Sequence, residues 1–198
     1  MTEAAPDRDS GDNPFSELGE PVLAVADRPR GLLAVAGAHQ YGEAATVGVF
    51  DVTDRARRRR LLRSKYPVHA MAFHPTRPLL AVGSGAYDGG YFFEGELLLV
   101  HLKTGAVRSL IGHASGRQVL GLKWLNDRDL RVLTAPHDDD KDPAAHEEGH
   151  VAVVGRADWT TVGARSLTGH DLAGPRSPVV RPNGRKAARR LVARWTPP

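Results

Sequence analysis

His146-Glu-Glu-Gly-His150 has the H-E-x-x-H spacing with which two imidazoles, one helical turn apart, share a zinc ion while the first glutamate serves as base. That chemistry needs a helix. Gly149 is a poor helix residue, and the apolar run Val151-Ala-Val-Val154 follows at once, so His150 is expected at the start of a strand, pointing away from any helical partner. Catalytic zinc is therefore not expected. The wider segment 137–150 gathers His137, Asp138, Asp139, Asp140, Asp142, His146, Glu147 and Glu148, oxygen and imidazole ligands that suit a calcium or a transition ion. Its spacing matches no EF-hand loop. A solvated acidic loop is the preferred reading, with a metal-binding protein or metal-dependent hydrolase using 137–150 as the alternative.

A second cluster is cationic: Arg55-Ala-Arg-Arg-Arg-Arg60 continues to Arg63 and Lys65. Such a run can hold phosphates, but no aromatic residue is interleaved to stack bases, and a charged strand edge that resists pairing is favoured over nucleic acid. A third cluster is aromatic. Tyr87, Asp88, Tyr91, Phe92 and Phe93 lie within a glycine-rich stretch, and Tyr41 lies in a shorter loop, Gly37 to Glu43. Aromatics flanked by glycine in a loop suit a protein interface, though Phe92 and Phe93 could equally anchor their own loop. Ser84 in Gly83-Ser-Gly85 lacks the spacing of a nucleophile elbow, and no phosphate loop or dinucleotide fingerprint occurs. No catalytic residue, bound metal or cofactor is expected.

The elements that must position these clusters repeat. Val22-Leu-Ala-Val-Ala-Asp-Arg-Pro-Arg-Gly-Leu-Leu-Ala-Val-Ala-Gly37 aligns with Val68-His-Ala-Met-Ala-Phe-His-Pro-Thr-Arg-Pro-Leu-Leu-Ala-Val-Gly83, and Val119 to Thr134 gives a weaker third copy. Ungapped at first, the alignment sets Ala24, Ala26 and Pro29 on Ala70, Ala72 and Pro75, and one added residue then sets Leu32 to Val35 on Leu79 to Val82. Each copy reads as a hairpin. After each comes a third apolar strand, 46–52, 96–102 and 150–155, then a polar turn and a short fourth strand that twice ends alike, in Leu110-Ile-Gly-His113 and Leu167-Thr-Gly-His170. Four strands per unit, recurring about every 50 residues, is the pattern of a propeller blade.

The Gly112-His113 and Gly169-His170 pairs, the Phe73-His-Pro75 turn and Val180-Arg-Pro-Asn-Gly-Arg185 resemble the WD-repeat family of β-propellers over Pro21 to Arg194. The Trp-Asp pair of that family is replaced by Phe50-Asp51, Val100-His101 and Val154-Gly155, so the hydrogen-bond network built on it is incomplete here. The resemblance implies an all-β fold: a partial or truncated β-propeller of about three four-stranded blades, near 21–66, 67–117 and 118–170, with the remnant 171–198 beginning a fourth. It also implies a non-enzymatic scaffold whose loops on one face, lengthening from Gly37–Glu43 through Ser84–Glu94 to 136–149, bind a protein partner.

Composition agrees with such a chain. With 41% hydrophobic residues, 21 glycines and 14 prolines in 198 residues, it is turn-rich. Cysteine is absent, which excludes disulfides and thiolate metal sites and makes a cytoplasmic setting the expectation. The acidic segment 1–18 lacks the form of a signal peptide and is expected to be disordered, and no apolar run is long enough to span a membrane. Three blades cannot close a ring alone. Blade one lacks a predecessor and blade three a successor, so two apolar faces are expected to drive association with a second copy or with blades from another chain.

Overall fold

A computed structural model describes residues 15–39, 43–54, 57–87, 93–112, 117–135, 148–179 and 184–195. They form three antiparallel sheets of four strands, each strand paired with the next in sequence. Blade one comprises β1 (Pro21–Asp27), β2 (Leu32–Gly37), β3 (Ala45–Asp51) and β4 (Arg57–Ser64). Blade two comprises β5 (Val68–Phe73), β6 (Leu79–Tyr87), β7 (Phe93–His101) and β8 (Val107–Ser109), and blade three β9 (Val119–Trp124), β10 (Asp129–Thr134), β11 (Glu148–Gly155) and β12 (Arg176–Pro178). Strand β5 packs against both β1 and β9, so the first strand of each blade lies innermost and the fourth forms the rim. The chain is an all-β, partial propeller.

Middle strands are apolar on both faces because each blade is clasped between neighbours. In β2, Ala34 and Ala36 face blade two and meet Leu80, Val82, Leu98 and Val100. On the other side of blade two, Leu79, Ala81, Leu97 and Leu99 meet Leu130, Val132 and Val154 of blade three, together with Trp124 and Trp159. Close packing is set in part by glycine: a Cβ on Gly83 would stand 2.5 Å from the Val119 side chain, so the entry to β9 lies directly on blade two.

The repeat is offset by one residue from its sequence alignment in the inner strand. Ala26 pairs with Leu33 where Phe73 pairs with Leu80, so Ala26 is the equivalent of Phe73 and Asp27 of His74. Both turns then have four residues, 28–31 and 75–78, and both inner strands carry the same bulge at their start, between Pro21 and Leu23 and between Val68 and Ala70, so the two hairpins match without an insertion. The inner turns share a chemistry, from Asp27 and His74 at this position and from Asn126 one residue further on. Asp27 accepts from the Arg30 amide, Nδ1 of His74 accepts from the Thr76 and Arg77 amides at 3.2 and 3.0 Å, and Asn126 Oδ1 accepts from the Arg128 and Asp129 amides. Each inner turn is closed by one side-chain acceptor.

His74 also joins two blades. Because its Nδ1 accepts, Nε2 carries the proton and donates to the Asp127 carbonyl at 3.1 Å, while the ring packs on Trp124 with centroids 4.4 Å apart. The side chain is 1% exposed, and burial lowers its pKa below the ordinary imidazole value. The unfolded chain takes up a proton near pH 6.5 that the folded site refuses, so this stability is complete above about pH 6.5 and is lost as pH falls toward the lower, folded value. Urea unfolding at pH 7.5 and 5.5 is expected to show a smaller pH dependence in His74→Gln than in the wild type. Equal dependence in the two would mean that His74 is not the group responsible. The Asp51 and Asp171 carboxyls, held at about 2 chiefly by hydrogen bonds from Thr53 and Thr168, lose their contribution only at far lower pH.

Three sequence expectations are corrected at the ends. Segment 15–18, expected within a disordered tail, is ordered: Phe15 precedes a short 3-10 turn (Ser16–Leu18) that ends at Leu18, and both are buried on the free face of blade one with Leu33, Val35 and Phe50. A Cβ on Gly37 would lie 1.7 Å from the Leu18 carbonyl oxygen, so only glycine admits that approach. Residues 1–14 lie outside the described residues. Leu167-Thr-Gly-His170 does not close blade three. It runs beside the rim of blade two, where Arg165 and Leu167 donate amides to the Ser109 and Leu110 carbonyls at 2.8 and 2.9 Å, and β12 completes blade three instead.

Finally, the remnant read as the opening of a fourth blade is a helix, α1 (Gly184–Ala193). Alanine and arginine favour helix, and the sequence places Ala188, Leu191 and Val192 on one face at the spacing a helix needs. That face covers blade one beside Phe15, and Arg185 and Arg189 pair with Glu20. Blade one is therefore not left bare.

Candidate functional site

The blade frame presents two faces. On the upper face, where β2 joins β3 and β6 joins β7, the aromatic candidates were expected; the lower face carries the β1–β2, β3–β4 and equivalent turns.

On the upper face the described part of the candidate interface is a ribbon. Strands β6 and β7 are nine residues each, and β5 pairs with β6 only as far as Ser84. Beyond it, Gly85, Ala86 and Tyr87 pair solely with Gly95, Glu94 and Phe93, so a two-stranded arm rises past the inner strand. Its foot is fixed: Gly85 donates its amide to the Pro67 carbonyl at 3.0 Å, and His69 Nε2 contacts the Gly85 carbonyl at 2.8 Å. Chain 117–118 crosses the foot so closely that a Cβ on Gly95 would meet the Arg117 carbonyl oxygen at 2.1 Å. Tyr87 and Phe93 form the last described pair of the arm. Tyr41, Asp88, Tyr91 and Phe92 lie outside the described residues.

His137 to Glu147 also lie outside them. Glu148, Gly149 and His150 are in β11, paired with Pro178, Ser177 and Arg176, so the second half of H-E-x-x-H is strand, as expected, and His150 Nδ1 contacts the Gly174 carbonyl at 2.7 Å. Among the described residues no three His, Asp or Glu side chains converge to hold an ion.

The arginine run, an edge strand as expected, does more than shield the edge. Val49 pairs with Arg60 and Phe50 with Arg58, which makes Arg59 the extra residue of a bulge and swings it to Asp51, while Arg58 pairs with Glu17. Arg60 crosses to blade two and donates to the Leu102 carbonyl at 3.1 Å and to that of Lys103. Blade two repeats the device: Arg108 donates to the Thr160 and Val162 carbonyls of blade three at 3.0 and 2.9 Å. Near the axis Arg30 donates to the His74 and Arg77 carbonyls and lies 5.9 Å over the Phe73 ring. The lower face is thus laced from blade to blade by arginine side chains on backbone carbonyls. Nothing in the sequence pattern marks these arginines as latches, because their partners are carbonyls, which every residue carries.

These three blades, with latched lower turns and an upper arm whose last described pair is Tyr87 and Phe93, define a β-propeller segment. A solved structure, the crystal structure of the tricorn protease, is similar over 83% of this chain with a TM-score of 0.52 and 16% identity. This chain spans 18% of the length of that one. At such identity the likeness concerns the fold and not the activity. No family model matches the chain, and no curated protein matches it. No helix among the described residues is long and apolar enough to cross a membrane.

Proposed function

We propose that the chain is a non-enzymatic, cytoplasmic interaction module of WD-repeat type that holds a protein partner on its upper face. The observation that carries this reading is the β6–β7 arm, a ribbon whose foot is clamped by Pro67 and by chain 117–118 and whose far end carries Tyr87 and Phe93. A rigid base lowers the entropy lost on binding, and aromatic side chains supply much contact area for few rotatable bonds. Tyr91 and Phe92 join the pair in sequence, between its two strands.

Changing Tyr91 and Phe92 together to serine, with affinity chromatography of tagged protein and identification of what co-purifies, tests it. A stoichiometric partner held by the wild type is expected to be lost from the double variant, while the thermal transition stays within about 2 °C, the shift that a change of less than roughly 0.5 kcal/mol gives a chain of this length. A partner retained in full by the variant would remove the arm from the interface.

A further inference from the structure

Between blades one and two the lower face opens into a cleft of about 670 Å³. Its floor is apolar, with Leu32 and Val49 buried in the sheet and Pro78 and Leu102 beside them. Its walls hold five cations, Arg30, Arg58, Arg59, Arg60 and Lys103, against two carboxylates, Asp51 and Asp54. The cations come from both blades and three separate segments: the β1–β2 turn, the bulged start of β4 and the β7–β8 turn.

These groups are held in place before any ligand arrives. Arg30 and Arg60 are tied by Nε and both terminal nitrogens to carbonyls and, for Arg30, to Asp27, so both are held with little motion left to lose, Arg60 with no carboxylate partner among the described residues and Arg30 partly neutralised by Asp27. Arg59 uses one terminal nitrogen on Asp51 and Arg58 one on the exposed Glu17, which leaves N–H donors on both for a ligand. Lys103 has no ion-pair partner among the described residues and stands on the opposite wall. Two guanidinium forks and an ammonium across an apolar floor match the chemistry of phosphate groups carried on a compact organic body. The volume falls within the range of small-molecule sites, roughly 300–1,000 Å³.

We infer that this inter-blade cleft binds a small organic polyphosphate, with Arg58, Arg59 and Lys103 as the ligand-contacting cations and Arg30 and Arg60 supplying the fixed field. The site is on the face opposite the aromatic arm and stands independently of it.

Calorimetric titration with adenosine triphosphate and with inositol hexakisphosphate, and pyrophosphate as the body-free comparison, reads the proposal. One of the two organic probes is expected to bind one-to-one, more tightly than pyrophosphate, with affinity falling steeply between roughly 50 and 200 mM salt. Lys103→Gln and Arg58→Gln are each expected to weaken it about tenfold, the size of one lost charge-assisted hydrogen bond. Lys186→Gln with Arg190→Gln on α1 removes two exposed cations elsewhere and is expected to change nothing. No binding of either organic probe overturns the proposal. So does an equal loss in the α1 variant, which would indicate diffuse charge, and so does tighter binding of a short DNA duplex that depends on Lys103, which would make nucleic acid the ligand.

Discussion

Trp159→Ala is expected to cost about 4 kcal/mol, a large share of the roughly 5–15 kcal/mol that holds a domain of ordinary stability together. Trp159 is the largest of the fully buried side chains, 1% exposed, and stands between blades two and three. Its ring meets Trp124 edge-on with centroids 5.0 Å apart, and its Nε1 donates to the Arg128 carbonyl at 2.8 Å. Alanine empties a cavity in the inter-blade core, ends the aromatic pair, itself worth about 1 kcal/mol, and removes one of the two donors to the Arg128 carbonyl, leaving the Arg156 amide. A loss of that size lowers the thermal midpoint of a chain of this length by about 10 °C. Trp159→Phe keeps most of the volume and is expected to cost about half as much. A midpoint unchanged by alanine would mean that blades two and three do not share this core.

Trp159 also shows what the sequence conceals. The blade pattern looks for tryptophan at the end of the third strand, and those places hold Phe50, Val100 and Val154. Besides Trp124 at the end of β9, blade three has a tryptophan five residues after Val154, in the turn after β11, where Asp158 fixes the chain by accepting from the Thr160 amide and hydroxyl. In the same way the buried histidine among the described residues is His74 of the Phe73-His-Pro75 turn, while His170 of the second Gly-His pair is exposed. Strands were readable because blades clasped on both sides need long apolar runs at a fixed spacing, and Leu32 to Val35 against Leu79 to Val82 shows the repeat directly. A one-residue slip in the inner strand was not readable, since Ala24, Ala26, Ala70 and Ala72 are alike and their bulges leave no mark in composition. The helix at 184–193 was hidden behind Arg181-Pro-Asn-Gly184, whose turn chemistry fits the start of a helix as well as a hairpin. Of the candidate interface, the aromatic pair Tyr87 and Phe93 was legible as loop chemistry, but its placement on paired strands depends on the lengths of β6 and β7.

The ends of the propeller segment differ, and the difference yields a second large effect. Blade one turns Leu33, Val35 and Phe50 outward, and Phe15, Leu18, Leu191 and Val192 cover them. Blade three turns outward the positions equivalent to those that blade two buries against it. Arg131 stands where Ala34 and Ala81 stand, Lys123 where Val25 and Ala72 stand, and Val153, 56% exposed, where Val49 and Leu99 are 1% and 3% exposed. Two cations on that face oppose the stacking of a further apolar blade. The premise that both ends are bare and apolar therefore fails, at blade one because the face is capped and at blade three because it is charged.

Val192→Asp attacks the cap alone. A carboxylate cannot stay in the buried slot beside Phe15 and Val35 without a penalty of several kcal/mol, more than a ten-residue helix gains from its few buried side chains, so α1 is expected to lift away while the blades persist. The uncovered face of blade one should then bind a hydrophobic dye and raise the mass seen by light scattering as concentration increases, relative to the wild type. Arg190→Asp, on the exposed side of the same helix, should do neither. Unchanged mass and dye binding in Val192→Asp would show that α1 does not cover blade one. The form of the association follows from the two ends. Blade three, where Lys123 and Arg131 flank the exposed Val153, is the poorer apolar counterpart, so the uncovered face of blade one is expected to meet its own copy. Such an isologous contact closes at two chains and should plateau at a dimer instead of growing into a filament. Val153→Asp on blade three, combined with Val192→Asp, is accordingly expected to leave that dimer intact.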